Sequence, residues 1–465
     1  MNASTTSCLF RTVFLVLIFM ITLFIVGSCK GYGPDEEIPE FVINKNPVDS
    51  GTEDNGEGNQ DEESGPKSMP VVRVTTENAA PITSKEDYVK GTVSISDPDC
   101  KYSETKFLES PMKIRGRGNT TWKYDKKPYR IKMDEKQKVL GMDKNKDWVL
   151  LANYCDKSLI RNLVAMEISR KLEFSWTIDI IPVEFYLNGE YQGVYCICQH
   201  KEVANHRVDI AEDDFLFELD KSLDEPVHFR SAVCKIPVNF SHPEQPSSEV
   251  TKWVKNYFEE FETALYNDKF TSPTEGYAKY IDVESFIRYY IIQELSYNID
   301  GKCCKSTFLT KEKDKKLEMY FVWDFDLAFG NCNYFGNYYN LDNGPTGFHT
   351  RDYLSDYTSG GVNYGNYGKG WYFRLFQDPV FVDKVQKKWN EIYPFLKTIP
   401  QIIDKHVEDM GEDPIKRNFE KWQILGKYIW PQTKPYPDTH AGEVEKLKEF
   451  YSARLEWLNV ELNKL

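Results

Sequence analysis

The sequence predicts an α+β fold, with a β-rich N-terminal lobe followed by a mainly helical C-terminal lobe. Short runs of alternating apolar and polar residues fill the region 71–215, and longer runs with helical spacing fill the region 216–465. Together these regions exceed the size at which one hydrophobic core usually suffices. We therefore expect two lobes that surround one functional site.

Five runs in the N-terminal region alternate as strands do, and one run has helical spacing. Asn188 and Gly189 separate the last two strands and predict a tight hairpin, because both residues adopt positive φ readily. The helix is expected over residues 157–172, where apolar residues recur on one face. The expected strands are residues 71–74, 91–95, 129–133, 183–187 and 191–195.

The C-terminal region carries four helical patterns and one long segment of unusual composition. Helices are expected over residues 249–266, 283–297, 380–396 and 441–462. Residues 331–372 are dense in Tyr, Asn and Gly. Such a segment either exposes aromatic rings that bind sugars, peptides or bases, or packs its own tyrosines as an ordinary loop. The sequence leaves both interpretations open.

Residues 1–29 have the layout of a bacterial lipoprotein signal. Arg11 precedes an apolar core over residues 12–28, which is short enough to be an export signal rather than a structural span. Residues 26–29 resemble a lipobox, so Cys29 is the expected lipidation site. We expect an exported protein, lipid-anchored to a bacterial membrane in the periplasm or at the cell surface. The alternative is an uncleaved signal anchor.

Residues 30–70 are predicted to form a disordered acidic linker. Between residues 31 and 70 lie eleven carboxylates and two lysines, which give a net charge of −9 out of −14 for the whole chain. Repeated like charges and few aromatics keep such a segment extended. The folded part is therefore only mildly acidic. Because it also lacks a basic stripe, nucleic acid is not an expected partner.

The cysteines and histidines show neither a zinc pattern nor a catalytic triad. Ten cysteines and seven histidines are scattered along the chain, without a C-x-x-C pair beside a histidine set. Structural thiols are favoured over a metal site, and cross-links in an oxidising compartment are left open. No Ser or Cys has a histidine in a nucleophile arrangement, so a triad hydrolase is not expected.

The segment 320–330 places two carboxylates, Asp324 and Asp326, at the end of an apolar run. On an extended backbone, residues two apart point the same way, so both carboxylates should face one point while Phe325 turns into the core. Converging carboxylates repel unless a cation lies between them, and Mg²⁺ is a natural occupant because it takes oxygen ligands. The alternative is a strand end with two solvated acids.

Polar residues upstream would complete such a site. Residues 115–122 form a glycine-interrupted basic turn that suits a phosphate, and Lys132 follows on a strand, where an inward lysine needs an anionic partner. Asp156 is a candidate N-cap of the first helix. Asp300 precedes Asp324 by 24 residues. Phosphoryl transfer needs one acid that accepts a hydroxyl proton and another that holds a metal ion.

Several ordered motifs resemble the CotH family, the spore-coat protein kinases and their secreted or lipoprotein relatives. The likeness extends from about residue 114 to about residue 381. Each motif is short, but their common order makes the match specific. The motifs are residues 117–122, 127–132, 140–141, 147–153, 156–162, 187–195 and 323–326.

The resemblance implies a bilobal atypical protein-kinase-like fold. It also implies ATP- and Mg²⁺-dependent phosphoryl transfer, with Mn²⁺ as a substitute ion, to Ser, Thr or Tyr hydroxyls of secreted or surface proteins. By position, Asp324 is implied as the metal-binding acid with Asp326 beside it. Asp300 is implied as the catalytic acid, and Lys132 as the lysine that pairs with phosphate. The implied supporting phosphate contacts are Arg117 and Arg161.

One position departs from the family. Relatives commonly carry a glutamate where this chain has Gln199, which His200 follows. If that glutamate pairs with the lysine or a metal, Gln199 would weaken turnover, so a catalytically weak or inactive lipoprotein that binds protein or glycan is the first alternative. The second is a glycosyltransferase, because two aspartates also hold a metal against a sugar nucleotide. The βα pattern of that fold is missing here.

Overall fold

The computed structural model describes residues 68–303, 305–335, 338–339, 344–351, 358–359, 362–363 and 370–465. The predicted lipoprotein signal with Cys29, and nearly all of the predicted acidic linker, lie outside the described residues. Ser64–Leu465 form one compact unit. The α+β class is confirmed, with a β-rich N-terminal part and helices in the C-terminal part.

Seven strands in the N-terminal part close into a barrel. They are β1 (Val71–Thr76), β2 (Val89–Ser96), β3 (Phe107–Gly116), β4 (Tyr129–Val139), β5 (Met142–Leu151), β6 (Ile180–Leu187) and β7 (Glu190–Gln199). Their order is β1-β2-β3-β4-β5-β7-β6, and β6 pairs with β1 in parallel to close the barrel. β3 and β5 were not predicted, because charged residues interrupt their apolar alternation.

The inside of the barrel is an apolar core. Ile131 on β4 and Trp148 on β5 are cross-strand partners, and both are fully buried there. The adjacent pair, Lys132 and Asp147, points to the outside, since successive residues on a strand alternate between faces. Lys132 is therefore not inward, and 41% of its side chain is exposed.

A second, antiparallel sheet follows the barrel. It contains β8 (Phe215–Leu219), β9 (His228–Arg230), β10 (Pro237–His242), β11 (Thr307–Lys311) and β12 (Glu318–Val322). Their order is β12-β11-β8-β10-β9. The C-terminal region is thus less helical than predicted, because these strands are short and several are buried on both faces, which removes the polar alternation.

The helices of the described region are α1 (Arg161–Lys171), α2 (Ser248–Tyr266), α3 (Val283–Ser296), α4 (Trp371–Leu375), α5 (Pro379–Leu396), α6 (Ile399–Met410), α7 (Glu412–Lys421) and α8 (His440–Leu462). The predictions for α2, α3, α5 and α8 are confirmed to within one residue. Each of these four begins after a side chain that accepts a hydrogen bond from the first turn. These caps are Ser247, Asp282, Asp378 and Thr439.

α1 begins four residues later than predicted. Residues 156–160 form a turn instead, in which Leu159 has a φ of 65°. Asp156 accepts from Ser158 N at 3.2 Å and from Arg161 N at 2.9 Å. It therefore caps the first N–H group of the helix although it precedes that residue by five positions. Among the helices of the described residues, none is both long enough and apolar enough to span a membrane.

A polar contact joins α7 to the barrel. Asn418 Oδ1 accepts from Val194 N at 3.0 Å and from Lys126 Nζ at 2.9 Å. Lys126 Nζ also donates to Val194 O at 2.6 Å. Burial lowers the pKa of Lys126 to about 7, because desolvation disfavours the charged form. Gly193 lies beside this contact and leaves room for it.

Gly193→Ala is expected to lower the free energy of unfolding by about 2–4 kcal/mol. Gly193 has a φ of 111°, and an added Cβ would lie 2.6 Å from Asn418 Oδ1 and 3.0 Å from Lys126 Cε. The control is Gly189→Ala, because Gly189 also has positive φ but nothing lies within 4 Å of the added atom. We expect a loss of about 1 kcal/mol there. Equal losses in denaturant titrations would show that crowding at α7 is unimportant.

Candidate active site

The two predicted metal-site carboxylates lie in a turn after β12. The strand ends at Val322, and Asp324 has a φ of 71°, in the left-handed region. The prediction that an extended backbone aims the two carboxylates at one point was therefore wrong. A turn brings the side chains of Asp324 and Asp326 into contact instead. Phe325 between them is fully buried, as predicted.

Side-chain amides fix the backbone of this turn. Asn162 on α1 accepts from Phe325 N through Oδ1 at 2.9 Å. Asn331 donates through Nδ2 to Asp326 O at 2.7 Å. Both amides are buried, so these bonds are shielded from competition with water. The turn therefore has a defined conformation before anything binds to it.

Arg161, an implied phosphate contact, lies within the framework beneath the turn. Its side chain is fully buried, and Nη1 lies 2.5 Å from Asp156 Oδ1. Nε donates to Ala328 O at 3.2 Å. The guanidinium thus connects the start of α1 to the end of the turn. This position supports the carboxylates rather than facing them directly.

The two carboxylates have different neighbours. Ser306 Oγ lies 3.4 Å from Asp324 Oδ2, and Cys155 Sγ donates to Asp326 Oδ2 at 3.1 Å. Burial, followed by the negative charge of Asp324, raises the pKa of Asp326 to about 8. Without a cation, the pair is therefore expected to hold a proton at neutral pH.

Asp300 lies in the loop after α3 and is 8% exposed. Lys305 Nζ is 3.2 Å from Asp300 Oδ2. The negative charge of Asp300, with a smaller contribution from Asp324, raises the pKa of Lys305 above its usual value. Lys305 is therefore a cation that is close to both acids.

One side chain, Asn298, joins the loop of Asp300 to the carboxylate turn. Asn298 Oδ1 accepts from Asp300 N, and its Nδ2 donates to Asp324 O, each at 3.3 Å. His349 also contacts Asn298, because its Nε2 lies 3.1 Å from Asn298 O. Its ring stacks on Tyr297 with a centroid distance of 4.2 Å. This buried amide therefore links the backbones of the two acids directly.

A buried ion pair holds the end of α3 in place. Arg454 on α8 contacts Glu294 on α3, with Nη2 2.6 Å from Oε1, and both side chains are almost completely buried. The Glu294 carboxylate also accepts from the backbone N–H groups of His349, Thr350 and Arg351 at 2.5–3.1 Å. The described part of the Tyr/Asn/Gly segment is thereby tied to the helix that leads to the acid loop.

Several cationic side chains lie on the barrel, and one of them contacts the carboxylate turn. Lys132 and Arg130 on β4 both pair with Asp147, with Nζ–Oδ2 and Nη2–Oδ1 distances of 3.5 and 2.6 Å. The Arg117 guanidinium lies over the ring of Trp323, 5.6 Å from its centroid. Because Trp323 directly precedes Asp324, Arg117 lies beside the turn. Arg117 thus lies on the barrel side of the candidate site, and Lys132 lies on the outer face of the barrel beside Asp147.

His200 shows that these cations share one neighbourhood. Burial, followed by four neighbouring positive charges, lowers the pKa of His200 well below its usual value. Two of the four cations, Lys201 and Arg207, lie outside the motifs identified in the sequence. The four are Arg130, Lys201, Arg117 and Arg207. Together with Lys132 they form the basic cluster.

Gln199, where the chain departs from the family, does not face the basic cluster. It pairs in register with Trp148, whose side chain lies inside the barrel. Its Oε1 accepts from Asp179 N at 2.9 Å. Lys132 points to the opposite face of the same sheet. A glutamate at position 199 would therefore point away from Lys132.

Two residues that contact the carboxylate pair, Cys155 and Ser306, were not predicted. Cys155 precedes the motif 156–162, and its place between two motifs is the only signal it carries. Ser306 follows Lys305, and short polar residues are too common in loops to single it out. Within the described residues, no three His, Cys, Asp or Glu side chains form a metal-binding group. Free cysteines among the described residues include Cys100, Cys155, Cys196, Cys198 and Cys234.

Comparison with known families agrees with the motifs. Residues 114–458 match the family model described as CotH kinase protein. The match covers most of the chain and reaches into α8, beyond the limit near residue 381 that the motifs suggested. No curated protein matches the chain. On the extent of the family match, the chain belongs to the CotH kinase family.

Proposed function

We propose that the chain is a protein kinase that transfers the γ-phosphoryl group of ATP to Ser, Thr or Tyr hydroxyls of other proteins. The observation that carries the proposal is the connection of Asp300 to Asp324 through Asn298. It puts an acid suited to an acceptor hydroxyl beside a carboxylate pair suited to a metal ion. The proposal includes a bilobal kinase-like arrangement in which the barrel forms the nucleotide lobe.

The carboxylate pair fits a divalent cation. Asp324 and Asp326 offer the oxygen ligands that Mg²⁺ and Mn²⁺ prefer, and the Ser306 hydroxyl adds a third oxygen nearby. Burial, followed by the charge of Asp324, raises the pKa of Asp326, so a cation between the two acids would favour their ionised forms. Asp324 and Asp326 would hold the ion, which when bound neutralises charge on the phosphates of ATP.

Asp300 is proposed to accept the proton of the acceptor hydroxyl. Its backbone is held by Asn298, and Lys305 places a positive charge 3.2 Å from its carboxylate. A cation there would also attract the negatively charged phosphoryl group as this group moves toward the acceptor hydroxyl. Asp300 and Lys305 thus have complementary roles, one toward the proton and the other toward the phosphate.

The basic cluster is proposed to bind the phosphates of ATP. Arg117 lies beside the carboxylate turn and Lys132 lies on the outer face of the barrel, and a guanidinium fork is well suited to phosphate oxygens. Lys132 would exchange part of its pairing with Asp147 for the nucleotide. Arg161 is assigned a supporting role, because its contacts lie within the framework of the turn.

The proposed substrates are secreted or surface proteins. This part of the proposal is supported by the apolar core at residues 12–28 and the lipobox-like sequence that ends in Cys29. A lipid at Cys29 would anchor the chain to the bacterial membrane, and the linker after it would give the kinase reach. The alternative is a lipoprotein without turnover that binds protein or glycan.

Asp324→Ala is expected to reduce metal-dependent labelling by ATP at least about a hundredfold, because one of the two metal ligands is removed. The assay uses the full chain with labelled ATP and Mg²⁺ or Mn²⁺, and it detects self-labelling or labelling of added protein. Asp383→Ala, which removes an exposed carboxylate on α5, is the control and should label normally.

Two outcomes would contradict the kinase proposal. A wild-type chain that binds no ATP would favour the non-catalytic lipoprotein. A chain that is stabilised by a sugar nucleotide but not by ATP would favour the glycosyltransferase. The antiparallel second sheet gives that alternative no support, since sugar nucleotides are usually bound at the carboxyl ends of parallel strands.

Metal binding should strengthen as pH rises toward 8. The pKa of Asp326 is about 8 in the folded chain, whereas its ordinary value is 3.8. Between these pH values the folded state therefore binds more protons than the unfolded state, and the free energy of unfolding falls as pH rises. In a chelator, we expect a loss on the order of 2 kcal/mol between pH 6 and pH 8. Mg²⁺ should restore it, and Asp326→Asn should abolish the pH dependence in thermal unfolding. An unchanged profile in Asp326→Asn would assign the titration elsewhere.

A further inference from the structure

An aromatic surface with two exposed and two partly buried rings borders the candidate site. It is formed by Tyr124, Tyr334, Tyr428 and Trp430, hereafter the aromatic platform. Tyr334 and Trp430 stack with ring centroids 5.7 Å apart and planes inclined by 11°. Trp430 is 39% and Tyr428 46% exposed, which is unusual for side chains of this size. Exposed aromatic groups of this kind mark binding surfaces.

Hydrogen bonds connect the platform to the carboxylate turn. Asn331, which donates to Asp326 O, is followed two residues later by Asn333. Asn333 N donates to Pro431 O at 2.8 Å, and its Nδ2 donates to Tyr428 Oη at 3.3 Å. The segment that carries the exposed rings is therefore held against the turn that carries the acids.

The acids themselves are close to the platform. The pKa of Tyr334 is raised by burial, then by the negative charge of Asp300, with a smaller contribution from Asp326. The basic cluster, by contrast, reaches the carboxylate turn at Trp323. The platform thus borders the acid proposed to receive the acceptor proton, whereas the cations border the proposed phosphate site.

The surface chemistry of the platform favours an apolar ring over a sugar. Tyr124 Oη donates to Trp430 O at 2.6 Å, and Tyr428 Oη accepts from Asn333. Because both hydroxyls already take part in hydrogen bonds to the protein, the platform offers mainly ring faces. A sugar would need polar partners for its hydroxyls, whereas an aromatic side chain needs only the ring faces. Exposed lysines on the same segments favour acidic neighbours in the ligand; they are Lys123, Lys427 and Lys434.

We propose that the aromatic platform binds the acceptor polypeptide and selects a segment with an aromatic residue close to the phosphorylated hydroxyl. Acidic residues beside that aromatic residue should add to the preference. The inference rests on the proposed kinase function and names the substrate class for that same site. Aromatic pairs contribute about 0.5–1.5 kcal/mol beyond burial of their area, which corresponds to a selectivity of about two- to tenfold.

The test compares two peptides that differ at one position. Both carry a single Ser and acidic residues, and one has Phe where the other has Ala near the Ser. With the full chain, Mg²⁺ and labelled ATP, the Phe peptide should be labelled about fivefold more efficiently in kcat/KM. Trp430→Ala should reduce the ratio to about one, and Tyr428→Ala should reduce it in the same direction. Trp253→Ala is the matched control, since Trp253 on α2 is 42% exposed, and it should keep the wild-type ratio.

ATP binding by the same samples separates the possible failures. A wild-type chain that binds no ATP overturns the kinase function and this inference with it. If ATP binds and both peptides are labelled equally, or if Trp430→Ala and Tyr428→Ala keep the wild-type ratio, the kinase function stands and the platform is not the acceptor site. Glycan binding that Trp430→Ala abolishes, without peptide selection in the wild type, would also overturn the inference and identify a sugar surface.

Discussion

Asp300→Asn should lower kcat for phosphoryl transfer by about a thousandfold and leave ATP binding nearly unchanged. The substitution keeps the size of the side chain and the backbone bond to Asn298, but the amide cannot accept the proton of the acceptor hydroxyl. Asp324 and Asp326 keep their carboxylates. Steady-state labelling gives kcat, and calorimetric titration with ATP and Mg²⁺ gives the dissociation constant.

The comparison with two other variants makes this result specific. Asp314→Asn, in the exposed turn between β11 and β12, should behave as wild type. Asp324→Asn should weaken both metal-dependent ATP binding and kcat, since it alters the proposed metal ligand. If Asp300→Asn weakened ATP binding as strongly as it lowered kcat, Asp300 would belong to the nucleotide site and would not be the base.

Arg454→Met should lower the free energy of unfolding by about 3–5 kcal/mol, the largest effect on stability that we expect. The substitution leaves the buried Glu294 carboxylate without its cationic partner. The three backbone N–H groups that Glu294 accepts from remain, but they do not neutralise its charge. Denaturant titration measures the loss, and kcat should fall as well, because α3 leads directly to the loop of Asp300.

A surface pair on the same helix provides the control. Lys448 on α8 contacts Asp404 at 2.9 Å, but 59% of the Asp404 side chain is exposed. Lys448→Ala should therefore cost only about 0.5 kcal/mol. A similar loss of unfolding free energy in both variants would mean that α8 is sensitive to any substitution. The buried pair would then contribute no more to stability than the surface pair.

The regular helices were predictable because their signals are local. α2 and α3 show apolar residues at helical spacing directly after a capping Ser or Asp, and both were predicted to within one residue. The Asn188-Gly189 hairpin was predictable for the same reason: both residues have positive φ, as the tight turn requires. β5 was missed because its first half is charged and only its second half is buried.

The candidate site was only partly predictable, because its geometry depends on residues far apart in sequence. Asp324 was singled out because it lies in a motif, and Asp300 because of its position upstream. The turn at Asp324 has positive φ and could not be predicted from an apolar run. The bond from Asn298 to Asp324 spans 26 residues, and the bond from Cys155 to Asp326 spans 171. No pattern of neighbouring residues reports such contacts.

The Glu294–Arg454 pair also affects the order in which parts of the chain can fold during synthesis. Arg454 is added 160 residues after Glu294, so a growing chain contains the helix of the acid loop long before the cation that neutralises it. Until α8 emerges, closing the hydrophobic core over Glu294 would bury an unpaired charge, which is strongly unfavourable. A partly synthesised chain should therefore remain open at its acid loop. Assembly of the candidate site would then be one of the last events in folding.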